Sequence, residues 1–152
     1  MTQKPIDILL VDDNPDDVEL ALFALRRNQL ANHIQIVRDG VEALDFLFCK
    51  GKYEDRDCSR RPKLVLLDLK MPKLNGLEVL KAIRENPQTA GIPVVILTTS
   101  KEDRDLVESY RLGVNSYIVK PVDFEQFSDV VRQLGFYWLL LNERPKVKED
   151  IF

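Results

Sequence analysis

The chain alternates short apolar runs with segments of helical periodicity. Five runs rich in branched residues have the length of buried strands, and they cover residues 6–11, 34–37, 64–67, 92–97 and 116–119. After each run, apolar residues recur every three or four positions, which predicts a helix. Strands that alternate with helices favour a parallel sheet covered on both faces. We therefore predict an α/β fold with a doubly wound, five-stranded parallel sheet in the order 2-1-3-4-5 and five helices.

Polar residues that cap helices mark where the five helices begin. The predicted N-terminal caps are Asn14, Asp39, Asn75, Ser100 and Asp123. We expect the fourth helix to end near Gly113. The last helix carries an apolar seam that starts at Phe124 and extends to Leu141, and Pro145 should end it.

The composition indicates a single globular domain. The 152 residues are 45% apolar and 31% charged with a net charge of −3, which provides material for one core and excludes disordered and collagen-like chains. No apolar run approaches the roughly 18 residues of a membrane span, and the N-terminus lacks an apolar signal region. We expect a cytoplasmic protein that binds neither membrane nor nucleic acid. We assign one domain to 1–143, with an irregular insert at 50–63, and a tail to 144–152.

The histidine and cysteine content restricts the chemistry. His33 is the single histidine of the sequence, so a multi-histidine metal site is excluded. Cys49 and Cys58 match no zinc-binding spacing. In a cytoplasmic protein we expect both to be reduced thiols.

Polar side chains follow four of the five predicted strands. Asp12 and Asp13 follow the first strand, Asp68 the third, Thr98 the fourth and Lys120 the fifth. Open α/β sheets bind ligands beyond the carboxyl ends of their strands. We therefore expect three carboxylates, one hydroxyl and one ammonium to converge at one edge of the sheet.

This acidic cluster predicts a divalent cation. Each close carboxylate pair costs roughly 4 kcal/mol at ~4 Å and an effective dielectric constant of about 20. One ammonium and one divalent cation together would neutralise three carboxylates, and hard oxygen ligands favour Mg²⁺ over zinc. A carboxylate can also act as a nucleophile and accept a phosphoryl group. Asp68 stands alone opposite the pair Asp12 and Asp13, so we expect Asp68 to accept the group while the pair holds the metal.

These residues lie in motifs that resemble the receiver domain of two-component response regulators. The matching segments are 9–13, 66–72 with 75–76, 95–98 and 117–121, and the resemblance extends over residues 5–135. It implies a flavodoxin-like receiver fold and a phosphorelay function. In that function Asp68 would accept a phosphoryl group from the phosphohistidine of a sensor histidine kinase.

The resemblance also implies how the metal is bound. Asp13 and Asp68 would bind Mg²⁺ through their side chains, and Lys70 would bind it through its backbone carbonyl. Asp12 would reach the ion mostly through water. A lysine two residues after the acceptor departs from the usual pattern, and Thr99 is larger than the residue often found there. Both departures predict an altered lifetime of the phosphoryl group.

A second set of implied roles concerns the switch. Lys120 would pair with the phosphoryl group, and its peptide bond to Pro121 is expected to be cis. Thr98 would hydrogen-bond the phosphoryl group, and Tyr117 would then move inward. This movement would remodel the face formed by helix 4, strand 5 and helix 5.

The remaining features suggest how the signal leaves the domain. The sequence adds no output domain after the last helix, so the resemblance points to a stand-alone receiver that signals by protein–protein contact. The insert at 50–63 resembles the longer loop of regulators that partner cyanobacterial phytochrome kinases, although a solvated charged loop explains it equally well. Leu139 and Leu140 leave apolar surface on the last helix. We predict a homodimer through helices 4 and 5, with a folded-back helix end as the alternative.

Three other functions compete with this interpretation. An aspartate-nucleophile phosphatase would need a second acid where Lys70 stands. A flavin-binding electron carrier would need a hydroxyl- and glycine-rich loop after the first strand, where this sequence is acidic. A degenerate receiver used as a scaffold would not need the intact set of polar residues at the strand ends.

Overall fold

The computed structural model describes residues 8–28, 33–71, 73–99, 101–109 and 111–134, which form one parallel sheet with helices on both faces. The strands are β1 (Ile8–Val11), β2 (Ile34–Val37), β3 (Leu64–Asp68), β4 (Val94–Thr98) and β5 (Ser116–Val119). The helices are α1 (Pro15–Asn28), α2 (Gly40–Phe48), α3 (Gly76–Glu85), α4 (Lys101–Ser109) and α5 (Phe124–Leu134). The sheet order is β2-β1-β3-β4-β5, which confirms the predicted fold class and order.

Alternating strand residues supply two separate apolar layers. Ile8 and Leu10 of β1 face the layer that α1 and α5 cover, whereas Leu9 and Val11 face the layer beneath α2, α3 and α4. Every residue of β1, β3 and β4 is buried, as expected for the central strands of a parallel sheet. Within the described part of the chain, no helix has the length and apolarity needed to cross a membrane.

Helix caps form largely where the sequence predicts them. The Asp39 carboxylate accepts a hydrogen bond from the backbone N–H of Glu42 at 2.8 Å, and Asn75 forms a reciprocal capping box with Glu78. Gly76 begins α3 directly against the end of β3, where an added Cβ would collide with the backbone oxygen of Asp68. The sequence Asn-Gly at this turn therefore lets α3 start close to the end of the central strand.

Two boundaries differ from the predictions by two residues or more. Strand β4 begins at Val94 instead of residue 92, because the N–H of Ile92 bonds to Thr89 in a turn at 3.0 Å and the following proline has no N–H. Helix α4 ends at Ser109, four residues before Gly113. Arg111 has the left-handed φ of 52°, which does not continue a right-handed helix. The Ser100 cap, the start of the first strand and everything predicted for residues 135–152 lie outside the described residues.

The expectation of two reduced thiols is wrong, because Cys49 and Cys58 form a disulfide. Cys49 ends α2 with a left-handed backbone, φ 56° and ψ 53°, and this turn directs the chain back along the helix. The two Cα atoms lie 5.8 Å apart, within the usual range for disulfides. Sequence spacing alone carries no information about this return of the chain.

The insert between α2 and β3 is docked against α2. It contains a 3₁₀ turn at Gly51–Tyr53. The guanidinium of Arg56 lies 3.9 Å from the ring centroid of Phe46 and donates to the Phe46 carbonyl at 3.1 Å. The Tyr53 hydroxyl donates to the Glu42 carboxylate at 2.7 Å. These contacts, together with the disulfide, hold residues 50–58 on the helix.

Candidate functional site

The carboxyl ends of the strands bring the predicted acidic residues together. A carboxylate oxygen from each of Asp12, Asp13 and Asp68 lies within 4.8 Å of the other two. Asp12 and Asp68 are buried, whereas Asp13 is exposed. A cavity of about 140 Å³ opens beside this cluster, and Thr98 and Lys120 also line it. Asp13, Asp68, Thr98 and Lys120 therefore line one small cavity, and Asp12 is buried next to Asp13 and Asp68.

The turn after β5 positions Lys120. Its peptide bond to Pro121 is cis, and its backbone N–H donates to the Thr98 carbonyl at 2.8 Å. The Gln126 side chain accepts from the N–H of Val119 at 3.0 Å and donates to the carbonyl of Val119 at 2.9 Å. Sequence reasoning missed Gln126 as a support of this turn, because its position in the first turn of α5 indicated only a helix start.

Lys120 forms ion pairs with three carboxylates. Its Nζ lies 2.8 Å from Asp17, 3.0 Å from Asp12 and 3.2 Å from Asp68. In the sequence, Asp17 is recognisable only as an acid in the first turn of a predicted helix, where it favours the positive end of the helix dipole. The available signal was that α1 follows β1 directly, so that its first turn lies at the ligand-binding edge of the sheet.

Burial and crowding perturb the two central charges of the site. Burial raises the pKa of Asp68, the charge of Asp12 raises it further, and Lys120 opposes both, so that the pKa is about 6. For Lys120, burial lowers the pKa, but hydrogen bonds to Asp17 and Asp12 outweigh this effect and raise it above its ordinary value. The ammonium is therefore fully charged at neutral pH, and Asp68 is mostly ionised there, but at a higher cost in free energy than an exposed carboxylate.

Thr98 and Lys70 meet at Asp103, an acid in the first turn of α4. The Thr98 hydroxyl donates to Asp103 Oδ2 at 3.2 Å, and Lys70 Nζ lies 3.7 Å from the same oxygen. The Lys70 backbone N–H also donates to Asp68 Oδ1 at 3.3 Å. The side chain of Lys70 is 70% exposed. Its ammonium therefore lies toward solvent and next to α4, while its backbone stays beside the acceptor carboxylate.

Tyr117 lies on β5, opposite Ile96 of β4. Its ring is half-buried against the apolar layer beneath α2, α3 and α4, and the guanidinium of Arg104 lies 4.9 Å from the ring centroid. The structure thus places Tyr117 between the sheet and α4, one strand away from Thr98. Thr99, which follows Thr98, is exposed and lines the rim of the 140 Å³ cavity.

The acidic cluster fits a divalent cation. Its three carboxylates offer hard oxygen ligands within 4.8 Å of one another, which is the ligand type that Mg²⁺ binds. With Asp17 included, four carboxylates face one ammonium. The site therefore carries a larger negative charge than the sequence analysis assumed, which favours binding of a cation.

Comparisons with known proteins agree on one family. The model of the response regulator receiver domain matches residues 8–132. Response regulator Rcp1 of Synechocystis sp. is 41% identical over 138 residues, which are 91% of this chain and 92% of that protein.

Solved structures give the same result. The bacteriophytochrome response regulator AtBRR is 52% identical with a TM-score of 0.82, and the match covers 93% of this chain and 100% of that one. The bacteriophytochrome response regulator RtBRR is 48% identical with a TM-score of 0.84, over 97% of this chain and 88% of that one. A Mn²⁺-bound form of Rcp1 superposes with a TM-score of 0.71 at 39% identity, covering 93% and 99% of the two chains.

Proposed function

The chain belongs to the response regulator receiver family, and we propose that it is a single-domain response regulator that accepts a phosphoryl group on Asp68 from a sensor histidine kinase. The observation that carries this proposal is the position of Asp68. Its carboxylate is buried at the end of the central strand, 3.2 Å from the Lys120 ammonium and beside Asp12 and Asp13. The raised pKa of Asp68 reflects the weak solvation of its buried carboxylate, which leaves the carboxylate a better nucleophile.

The proposed reaction is a transfer between two protein side chains. One oxygen of the Asp68 carboxylate attacks the phosphorus of the kinase phosphohistidine, and an O–P bond forms while the N–P bond breaks. The imidazole nitrogen keeps the electron pair of the broken bond and takes a proton from solvent. Lys120 stabilises the charge on the phosphoryl oxygens, and the hydroxyl of Thr98, a buried residue that lines the cavity, donates to one of them.

We propose Mg²⁺ as the cofactor of this transfer. Asp13 and Asp68 would hold it with their carboxylates, Asp12 mostly through water, and Lys70 with its backbone carbonyl. When bound, the ion neutralises charge on the carboxylates and the phosphoryl oxygens. The cluster within 4.8 Å supports this assignment, as does the relative whose structure is described as Mn²⁺-bound.

The proposed output is a change of the face that α4, β5 and α5 form. A phosphoryl group that bonds to Thr98 competes with Asp103 for the Thr98 hydroxyl, and Asp103 belongs to the first turn of α4. Freed from this contact, α4 would shift, and Tyr117, which packs between the sheet and α4, would turn inward. We propose that the remodelled face supports a homodimer through α4 and α5. The molecular mass in solution, with and without a stable phosphoryl mimic, tests this point, and an unchanged monomer in both states would contradict it.

We propose a phytochrome-type histidine kinase as the partner. Two of the similar structures are those of bacteriophytochrome response regulators. We further propose a cytoplasmic location, one receiver domain at 1–143 with an insert at 50–63 and a tail at 144–152, and no contact with membrane or nucleic acid.

Phosphotransfer from a purified, phosphorylated histidine kinase tests the proposal. We expect the label to move to the wild-type protein in Mg²⁺, to stay on the kinase in EDTA, and not to reach Asp68→Asn. Asp55→Asn is the matched control, because Asp55 is exposed in the insert and has no part in the proposed transfer. This variant should be labelled like the wild type. Equal labelling of wild type and Asp68→Asn would overturn the assignment of the acceptor.

A further inference from the structure

Lys120 forms ion pairs with as many carboxylates as an ammonium has N–H donors. An ammonium has three N–H donors, and the three carboxylates of Asp12, Asp17 and Asp68 lie within 3.2 Å of Nζ. The shortest of these distances, 2.8 Å, is to Asp17. Asp17 is not part of the three-carboxylate metal cluster. An acid outside that cluster is thus the nearest partner of the lysine that serves the phosphoryl group.

We propose that Asp17 is a positioning residue that holds Lys120 in the unphosphorylated site and releases it to the incoming phosphoryl group. This inference rests on the proposed function, because it concerns the same transfer to Asp68. A phosphoryl group adds acceptor oxygens to the site, and Lys120 has no fourth donor for them. Until the O–P bond forms, Asp68 is still a carboxylate, so Lys120 can bond to the incoming phosphoryl oxygens only if one of the three ion pairs opens.

Solvent access decides which ion pair opens. The side chain of Asp12 is 1% exposed and that of Asp68 is 7% exposed, whereas that of Asp17 is 24% exposed. Loss of Lys120 would leave Asp12 as a buried carboxylate with one fewer counter-ion, which is costly. Water can replace the ammonium at Asp17, so this ion pair is the cheapest to break.

The charge of Asp17 acts in the same direction. Asp17 and Asp68 both line the 140 Å³ cavity, so the Asp17 carboxylate repels a phosphoryl dianion that forms on Asp68. Asp17 therefore opposes phosphorylation twice, by occupying Lys120 and by adding negative charge. It lowers the rate at which the site is filled while it keeps the unphosphorylated site ordered.

The chain offers a matched control for this role. Asp16 is the neighbouring residue in the first turn of α1, and it is exposed. Its carboxylate carries the same charge near the same helix end, and the ion pairs of Lys120 do not include it. Asp16→Asn and Asp17→Asn therefore remove equal charge, but only the second frees a donor of Lys120.

The test compares these variants by two measurements in saturating Mg²⁺. The first is the initial rate of Asp68 phosphorylation by a small acyl phosphate, and the second is the affinity for inorganic phosphate by calorimetry. We expect Asp17→Asn to raise the rate and the affinity about five-fold each, the size typical of one partly exposed ion pair. Asp16→Asn should stay within about two-fold of wild type, and Asp17→Glu should return toward wild type.

Three results separate the possible failures. A rate and affinity of Asp17→Asn equal to or below those of wild type, with an unchanged circular dichroism spectrum, would overturn the inference, as would an equal gain in Asp16→Asn. Asp17→Ser provides a second folded variant and should behave like Asp17→Asn. If the wild-type protein itself gained no phosphoryl group on Asp68, the proposed function would fail instead.

Discussion

Replacement of Asp68 by asparagine should stabilise the metal-free protein. The pKa of Asp68 rises from 3.8 to about 6 in the folded protein, a difference of about two units, and each unit corresponds to about 1.4 kcal/mol. Ionised Asp68 therefore lowers the free energy of unfolding by about 3 kcal/mol at neutral pH. Asparagine has nearly the same shape and no charge, so Asp68→Asn should recover most of this free energy.

The sign of the effect fixes its pH dependence. A carboxylate whose folded pKa is raised contributes its stability fully below the unfolded pKa, and this contribution is lost as the pH rises through the folded pKa. The free energy of unfolding of the variant should therefore match that of the wild type at about pH 4 and exceed it by about 3 kcal/mol at about pH 7.5. Most of this change should fall between about pH 4 and about pH 6.

Urea unfolding in EDTA, followed by circular dichroism, measures this difference. Asp55→Asn is the control and should stay within about 0.5 kcal/mol of wild type. Added Mg²⁺ should stabilise the wild type more than Asp68→Asn, because the metal binds the folded cluster. A variant that is less stable than wild type at neutral pH, or a difference that does not vary with pH, would refute the electrostatic reasoning.

Three further changes test the structure around the site. Cys58→Ala should lower the free energy of unfolding by about 2 kcal/mol, the size expected when the disulfide of a short loop is lost. Reductant should lower the free energy of unfolding of the wild type by the same amount and leave that of the variant unchanged. No effect of reductant on the wild type would contradict the disulfide. Gly76→Ala should cost more than about 2 kcal/mol in urea unfolding, because its methyl group collides with the end of β3, whereas Gly91→Ala, where nothing lies within 4 Å, should cost little. Burial opposes the charged form of Glu42, but hydrogen bonds from Tyr53, the Arg38 backbone and Lys52 outweigh burial and lower the pKa of Glu42. The difference in free energy of unfolding between wild type and Glu42→Gln should therefore shrink as the pH falls through the range in which carboxylates titrate. A difference that grows in acid would count against these bonds.

The strand ends of the site were predictable because they depend on local sequence. Short runs of branched residues mark the strands, and the parallel order brings the carboxyl ends of the strands to one edge of the sheet. The sequence alone therefore places Asp68 and Lys120 together. The cap at Asn75 was equally visible, because side-chain caps act within three residues.

Other features depend on how separate segments pack, and local sequence does not encode them. Asp17 contacts Lys120 only because the first turn of α1 and the turn after β5 meet over the sheet. Cys49 and Cys58 pair because a left-handed residue turns the insert back along α2. Helix α4 ends early at Ser109, although residues 110–112 include neither glycine nor proline and gave no stop signal before Gly113.

Intact-mass measurement is the most direct test of the central claim that Asp68 accepts a phosphoryl group. After incubation with a small acyl phosphate and Mg²⁺, the wild-type protein should gain about 80 Da, the mass of one phosphoryl group. Peptide mapping after reductive trapping should place the modification at Asp68, and Asp68→Asn should keep its original mass. A wild-type protein that gains no mass, or an Asp68→Asn protein that gains the same mass, would contradict the account.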